Sequence, residues 1–312
     1  MRHRRLGSSG LSLSRLGLGT MTWGTVLDAE VCRDLLRTYL EAGGNLVDTA
    51  YGYGAGAAEH LLGSFLGDLV PRDDLVICTK AGIERRGTDR VVDVSRGTLI
   101  RQLDASLARL GVNHVDLWLV HTWSDEAPLT ETLSALEYAV SSGRARYVGV
   151  SNYSGWQSAR AFSLLESARV PLVANEVEYS LVNRTAEREV VPAGQALGFG
   201  LLAWSPLARG VLTGKYRNGV PSDSRAASRD FPNFVERFLD DRSTSIVEAV
   251  ATAARGLEVS ATEVALAWVR DRAGVAAPII GARTTAQLRT ALASEDLELP
   301  SQLSEALDEI SA

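Results

Sequence analysis

Short apolar runs alternate along this chain with longer stretches in which apolar residues recur every third or fourth position. The short runs occupy residues 16–19, 45–48, 75–79, 116–120, 146–150, 173–177, 201–204 and 277–280. Their brevity and apolar content predict buried β-strands. The stretches between them carry helical spacing. Over 28–42, Val31, Leu35, Leu36 and Leu40 share one face, and Gly43-Gly44 supplies the stop. Segments 57–66, 95–110, 128–141, 154–168 and 186–197 repeat the theme, with Ser95 suited to the N-cap and Gly111 to the C-cap of 95–110.

Eight strands, most followed by a connection of about one helix and two loops, predict an α/β fold closed into a (β/α)8 TIM barrel. Ahead of them, segments 3–6 and 11–13 flank Ser8-Ser9-Gly10 and read as a β-hairpin that caps the N-terminal mouth. The connection from the seventh strand to the eighth departs from the pattern. It holds two helix-like stretches, 241–255 and 261–272, preceded by 207–239 with no clear period. Loops of that length are usually functional, and one that follows a barrel strand lies on the active-site face. No linker or low-complexity stretch divides the chain, so 1–312 is read as one barrel domain.

Composition narrows the function. The 312 residues are 46% hydrophobic, enough for a sizeable core. A formal net charge of −6 lacks the basic excess of a nucleic-acid binder, so no nucleic-acid partner is expected. The basic Met1-Arg-His-Arg-Arg5 is read as the solvated end of an edge strand. No apolar run approaches the roughly 18 residues of a membrane span, and no signal-peptide core follows the N-terminus. Two cysteines, Cys32 and Cys78, read as small buried hydrophobes and fit a reducing cytoplasm. No Cys/His cluster has metal-ligand spacing, so no metal is expected.

Four polar residues stand where a barrel does its chemistry. Asp48 ends a predicted strand, Lys80 and His121 each follow directly on one, and Tyr53 lies in the loop after Asp48. Singly, each has an ordinary reading: a turn carboxylate, a loop aromatic, a solvated lysine, a core histidine. On adjacent strands they converge. A free tyrosine has a pKa of about 10, and a nearby ammonium favours the phenolate. Asp48 keeps Lys80 charged, and His121 offers a hydrogen bond at the same oxygen. The set suits proton donation to a developing alkoxide. The Gly52-Tyr-Gly-Ala-Gly56 segment is no dinucleotide fingerprint, since Gly54-x-Gly56-x-x-Glu59 lacks the third glycine. It reads instead as a turn that lets Tyr53 point over the mouth.

The chain resembles the aldo-keto reductase family from Arg5 to about Ala293. The resemblance rests on Gly17-Leu-Gly-Thr20, Asp48-Thr-Ala-Tyr-Gly-Tyr53-Gly, Thr79-Lys80, Asp116-Leu-Trp-Leu-Val-His121, Gly149-Val-Ser-Asn152, Val177-Glu-Tyr-Ser180, Ser205-Pro-Leu207 and Gly281-Ala-Arg283. It implies an NADPH-dependent reductase of small-molecule carbonyl compounds, with Tyr53 as general acid and Asp48, Lys80 and His121 beside it. It implies a cofactor site of Thr20, Ser151, Asn152, Glu176, Trp204, Ser205, Leu207, Arg209, Lys215, Gly281, Arg283 and Gln287. Within it, Ser151 and Asn152 meet the carboxamide, Trp204 stacks on the nicotinamide, and Arg283 holds the adenosine 2′-phosphate at a helix N-terminus. Ser151, Asn152 or Ser154 is also placed to cap the helix that follows.

Two departures from the family pattern stand out. The family commonly has Gln where this chain has Glu176; a carboxylate cannot donate unless protonated, and if ionised it favours the positively charged NADP+. Thr290-Ala291 replaces a Glu-Asn pair that often contacts adenine, which implies weaker cofactor binding. Trp23, Tyr51 and Trp123 are expected around the substrate, with Phe231 and Phe234 of the long loop closing over it. A second reading is a cofactor-binding regulatory subunit resembling potassium-channel beta subunits.

Overall fold

Two short strands, β1 (His3–Arg5) and β2 (Ser12–Ser14), open the chain as an antiparallel hairpin in the computed structural model, which describes residues 1–87, 89–217, 219–222, 224 and 235–312. Eight parallel strands then close a barrel. In chain order they are β3 (Gly17–Gly19), β4 (Leu46–Asp48), β5 (Val76–Ala81), β8 (Val115–Val120), β9 (Ala145–Ser151), β10 (Leu172–Glu178), β11 (Gly200–Trp204) and β12 (Val275–Ile280). Between β5 and β8 a second antiparallel hairpin, β6 (Ile83–Arg86) with β7 (Asp89–Val92), stands outside the barrel. The predicted strands each match an observed one to within about two residues; the β6–β7 ribbon was not predicted.

Period-two alternation divides most of the barrel strands between two cores. Leu46, Val76, Cys78, Leu117, Leu119, Ala174, Leu202, Ala277 and Ile279 form the inner cluster, together with Leu6, Leu11 and Leu13 of the first hairpin. The hairpin therefore plugs the N-terminal mouth, as its sequence position predicts. Gly7 makes the seat close: its φ is +56°, and a Cβ there would lie 2.3 Å from the Gly198 carbonyl oxygen. Val47, Ile77, Trp118, Val120 and Leu201 face the other way, into the larger cluster shared with the helices.

The helices are α1 (Ala29–Glu41), α2 (Ala57–Phe65), α3 (Arg96–Leu110), α4 (Leu129–Ser141), α5 (Gly155–Ser167), α6 (Ala186–Leu197), α7 (Asp241–Leu257), α8 (Ala261–Arg270), α9 (Thr285–Ala293) and α10 (Ser301–Ser311). Asp28, Ser154, Asp240, Ser260 and Thr284 cap their helices with side-chain oxygens. Ser154, not Ser151 or Asn152, caps α5, in a capping box with Gln157. The last helix, α10, packs against α7 and lies beyond the predicted barrel units. The long connection after β11 holds a 3-10 segment at Ala208–Thr213 and another at Glu236–Phe238 before α7. Phe231 and Phe234 lie outside the described residues. No helix among the described residues is long and apolar enough to cross a membrane.

Candidate active site

The inner alternation that fills the barrel with Leu46, Cys78, Leu119 and Ala174 brings polar side chains inward one layer higher, at the C-terminal rim. Asp48 ends β4 opposite Cys78, Lys80 lies on β5 opposite Leu119, and Glu176 lies on β10 opposite Ser151 and Leu202. Asp48, Lys80, Ser151 and Glu176 are all at most 2% exposed. Lys80 Nζ donates to Asp48 Oδ1 and Oδ2 at 2.6 and 2.7 Å and to the Thr49 carbonyl at 3.0 Å. On its other side Glu176 Oε2 lies 3.2 Å away, at ion-pair distance but without hydrogen-bond geometry. Asp48, Cys78 and Glu176 offer ligand atoms within 4.8 Å of one another, but the Lys80 ammonium sits on both carboxylates where a cation would go.

Tyr53 reaches this floor from a tight turn. Gly54, Ala55 and Gly56 have φ of +59°, +54° and +98°, which folds the chain back over the mouth. The Tyr53 ring packs edge-on to His121 with centroids 5.9 Å apart, and Lys80 Nζ lies 5.4 Å from the Tyr53 centroid. The turn is tied down from outside the barrel by Arg109 of α3. Its Nη1 donates to the Tyr51 carbonyl at 3.0 Å and to Glu59 Oε2 at 3.1 Å, and its guanidinium lies 4.4 Å from the Tyr51 ring centroid. Gly56 leaves room for it, since a Cβ there would lie 2.4 Å from Arg109 Cζ. Glu59, fully buried, also accepts from Thr79 Oγ1 at 2.7 Å. Glu59 stands in the first turn of α2 and Arg109 in the last turn of α3, where such charges ordinarily complement the helix dipole, so the sequence does not mark them as a pair.

Burial and charge set the protonation states. Burial alone would lower Lys80, but Asp48 and Glu176 more than offset it and hold the ammonium well above its ordinary range. Burial pushes the Tyr53 phenol up; Lys80 pulls it down, and Asp48 and Glu176 push it up again, so it rises above its ordinary value of 10. The expected lowering by Lys80 is thus outweighed, because burial dominates and two carboxylates flank that ammonium. Burial, then the Lys80 and Arg90 charges, depress His121 well below 6.5, so its ring is neutral at neutral pH. Burial and the Asp48 charge push Glu176 up to about 8 against the pull of Lys80.

A cavity of about 660 Å³ opens above this floor. Asp48, Tyr53, His121, Ser151, Asn152 and Glu176 line one end, and Gly281, Arg283 and Gln287 line the wall at α9. Trp204, Ser205, Leu207, Arg209 and Lys215 line the side between β11 and the 3-10 turn. Asn152 knits three strand ends together: its Nδ2 donates to the His121 carbonyl and to Ser151 Oγ, and its Oδ1 accepts from Trp204 Nε1, each at 3.0 Å. It does so at a φ of +60°, and Ser205, Ala208 and Arg209 are also left-handed, at +52°, +47° and +60°. Such strain gathers where backbone is shaped for a ligand. Arg209 Nη2 pairs with Glu178 Oε1 at 3.3 Å, and Arg237 holds the other oxygen of Glu178. At α9, Thr284 caps the helix and Gln287 Oε1 accepts from the Arg283 amide at 3.0 Å.

Several residues fall elsewhere than expected. Thr20 is fully buried and spends its hydroxyl on the Asp48 carbonyl at 3.0 Å; the next two residues, Met21 and Thr22, face the cavity. Trp23 is 1% exposed and packs edge-on to Phe65 in the core, because its strand end turns inward to α2. Tyr51 lies under Arg109, and Trp123 stacks edge-on with Tyr153 and Trp156; neither lines the cavity. Ile83 and Arg90 of the β6–β7 ribbon take that wall instead. Thr290 and Ala291 do line the cavity.

The arrangement fits a nicotinamide dinucleotide. It joins the tetrad of Asp48, Tyr53, Lys80 and His121, with the orphaned Glu176 Oε2 beside it, to an anion-favouring helix N-terminus with Arg283. Comparison with known proteins agrees. The model of the Aldo/keto reductase family matches residues 15–312. A probable voltage-gated potassium channel subunit beta of Oryza sativa subsp. japonica is 34% identical, covering 100% of this chain and 96% of its own length. The uncharacterized oxidoreductase YrpG of Bacillus subtilis (strain 168) is 34% identical over 99% of this chain and 96% of its own. The L-glyceraldehyde 3-phosphate reductase of Escherichia coli (strain K12) is 34% identical over 92% of this chain and 86% of its own. With the barrel, the tetrad and these likenesses together, the chain belongs to the aldo/keto reductase family of NAD(P)H-dependent oxidoreductases.

Proposed function

We propose that this protein reduces small aldehydes or ketones with NADPH, with Tyr53 as the proton donor. The observation that carries the reading is the single cavity wall that joins Asp48, Tyr53 and His121 to Arg283 and the start of α9. NADPH held there would supply the hydride for the carbonyl carbon. The phenol of Tyr53, kept protonated by its surroundings, delivers a proton to the carbonyl oxygen. Lys80, fixed by Asp48, stabilises the phenolate that remains. His121 is neutral, and its Nδ1 lacks a hydrogen-bond partner among the described residues, which favours a proton at Nε2 for donation to the same oxygen. Ser151, Asn152 and Glu176 would hold the carboxamide, Trp204 would offer its face to the ring, and Arg283 would select the 2′-phosphate.

Arg90 on the cavity wall, close enough to His121 to depress its basicity, favours carbonyl compounds that carry an anionic group. The relative named for a phosphorylated aldehyde fits that preference. The likeness to a probable channel beta subunit supports a second reading, a cofactor-binding regulatory subunit; the assembled tetrad supports the enzyme. A panel of neutral and anionic carbonyl compounds, followed by NADPH absorbance with Tyr53→Phe as control, tests the proposal. Turnover that Tyr53→Phe abolishes supports it. No turnover across the panel, together with a stable protein partner in a pull-down, supports the regulatory subunit.

A further inference from the structure

Glu176 places a second carboxyl against the one lysine of the catalytic floor. Lys80 Nζ stands 2.6 Å from Asp48 and 3.2 Å from Glu176, with all three side chains at most 3% exposed. Asp48 takes the ammonium with both oxygens, which leaves Glu176 Oε2 buried and without a hydrogen bond among the described residues. The titratable groups that face Glu176 are Asp48 of β4, Cys78 and Lys80 of β5, and Tyr53 of the turn. Its partners across the sheet, Ser151 of β9 and Leu202 of β11, do not ionise at working pH.

The charge count then has two neutral solutions. Asp48 and Lys80 cancel. With Glu176 protonated the cluster is neutral, and with Glu176 ionised it carries one buried negative charge that only a further cation balances. A buried unbalanced charge is costly, so protonation follows whatever charge stands in the cavity beside it. The nicotinamide ring is neutral when reduced and carries one positive charge when oxidised. We propose that Glu176 is a redox-linked proton site: it is the neutral acid when NADPH is bound and gives its proton to solvent when NADP+ binds. This rests on the cofactor reading above. As the acid, Glu176 donates and accepts as an amide side chain does, so NADPH binding needs no loss of a hydrogen bond. Its drift toward a pKa of about 8 is consistent with a proton held at neutral pH.

Calorimetry of cofactor binding at pH 7, in two buffers of different ionisation enthalpy, counts the protons. NADP+ is expected to release close to one proton and NADPH close to none. Between pH 6 and 8, NADP+ affinity should rise up to about tenfold per unit while NADPH affinity stays flat. In Glu176→Gln both the proton release and this slope should vanish. A second readout needs only the wild type: difference infrared spectroscopy should show a protonated-carboxyl stretch lost on adding NADP+ but retained with NADPH. Tight binding of NADP+ with no proton released, or the same release in Glu176→Gln, overturns the inference and leaves the cofactor reading standing. Failure of both cofactors to bind overturns the cofactor reading and this inference with it.

Discussion

Replacing Arg109 with Met should loosen the turn that carries Tyr53 and lower stability at the same time. Three contacts are lost at once: the ion pair with Glu59, the hydrogen bond to the Tyr51 carbonyl and the stacking on the Tyr51 ring. Breaking a fully buried pair costs about 3–5 kcal/mol. Arg109 is 26% exposed, so water partly replaces it, and about 2 kcal/mol is the better figure for this pair. The carbonyl bond and the stacking add roughly 0.5–1 kcal/mol each, for a total of about 3 kcal/mol. Urea denaturation measures it. Most of the pair's cost is the stranded charge of Glu59, which keeps Thr79 as its one donor among the described residues. The double variant Glu59→Gln/Arg109→Met should therefore recover about 1–2 kcal/mol relative to Arg109→Met alone. In turnover, a shift of about 1 Å in Tyr53 predicts a fall in kcat on the order of 10²-fold. NADPH affinity should hold, because Arg109 does not line the cavity. A loss of stability under 0.5 kcal/mol, or no recovery in the double variant, refutes the reasoning.

Other consequences follow from the same geometry. Arg283→Met should weaken NADPH about tenfold or more and leave NADH nearly unchanged; equal effects on the two, by fluorescence titration, contradict the 2′-phosphate assignment. Arg90→Leu should raise KM for anionic carbonyl substrates and leave neutral ones unaffected, as steady-state kinetics on matched pairs would show. Burial and the Asp48 charge raise Glu176 from its ordinary 4.5 to about 8 in the folded protein. Its stability contribution is therefore complete below the unfolded value and lost as pH rises through the folded one. Wild type should accordingly lose stability relative to Glu176→Gln between pH 5 and 9, read as the difference in urea midpoints. His121 is depressed below its ordinary 6.5, so its contribution is present above that value and lost as pH falls toward the folded one. His121→Asn should flatten the stability profile on the acid side of pH 6.5.

Much of this was legible in the residues because the barrel imposes a short-range rule. Strand period two and a fixed rim place Asp48, Lys80, His121 and Ser151 on one floor, and that follows from where each apolar run ends. What the pattern does not carry is the direction of side chains in loops. Trp23 and Tyr51 follow strand ends as Tyr53 does, yet one packs on Phe65 and the other lies under Arg109. The β6–β7 ribbon was missed because Glu84-Arg85-Arg86 and Asp89-Arg90 give it no apolar face, and with it went Arg90. Thr20 belongs to a matched motif, but its hydroxyl is satisfied by the backbone of β4. The protonation of Tyr53 and Glu176 depends on long-range packing of β4, β5 and β10, which no local spacing encodes.

The central claim, that Tyr53 is the acid of a carbonyl reduction, is tested most directly by single turnover. Protein loaded with NADPH is mixed with a carbonyl substrate, and nucleotide oxidation is followed in wild type and Tyr53→Phe. The account predicts unchanged NADPH affinity and a rate reduced by about 10²–10⁴-fold in the variant. Oxidation at the wild-type rate in Tyr53→Phe would contradict it.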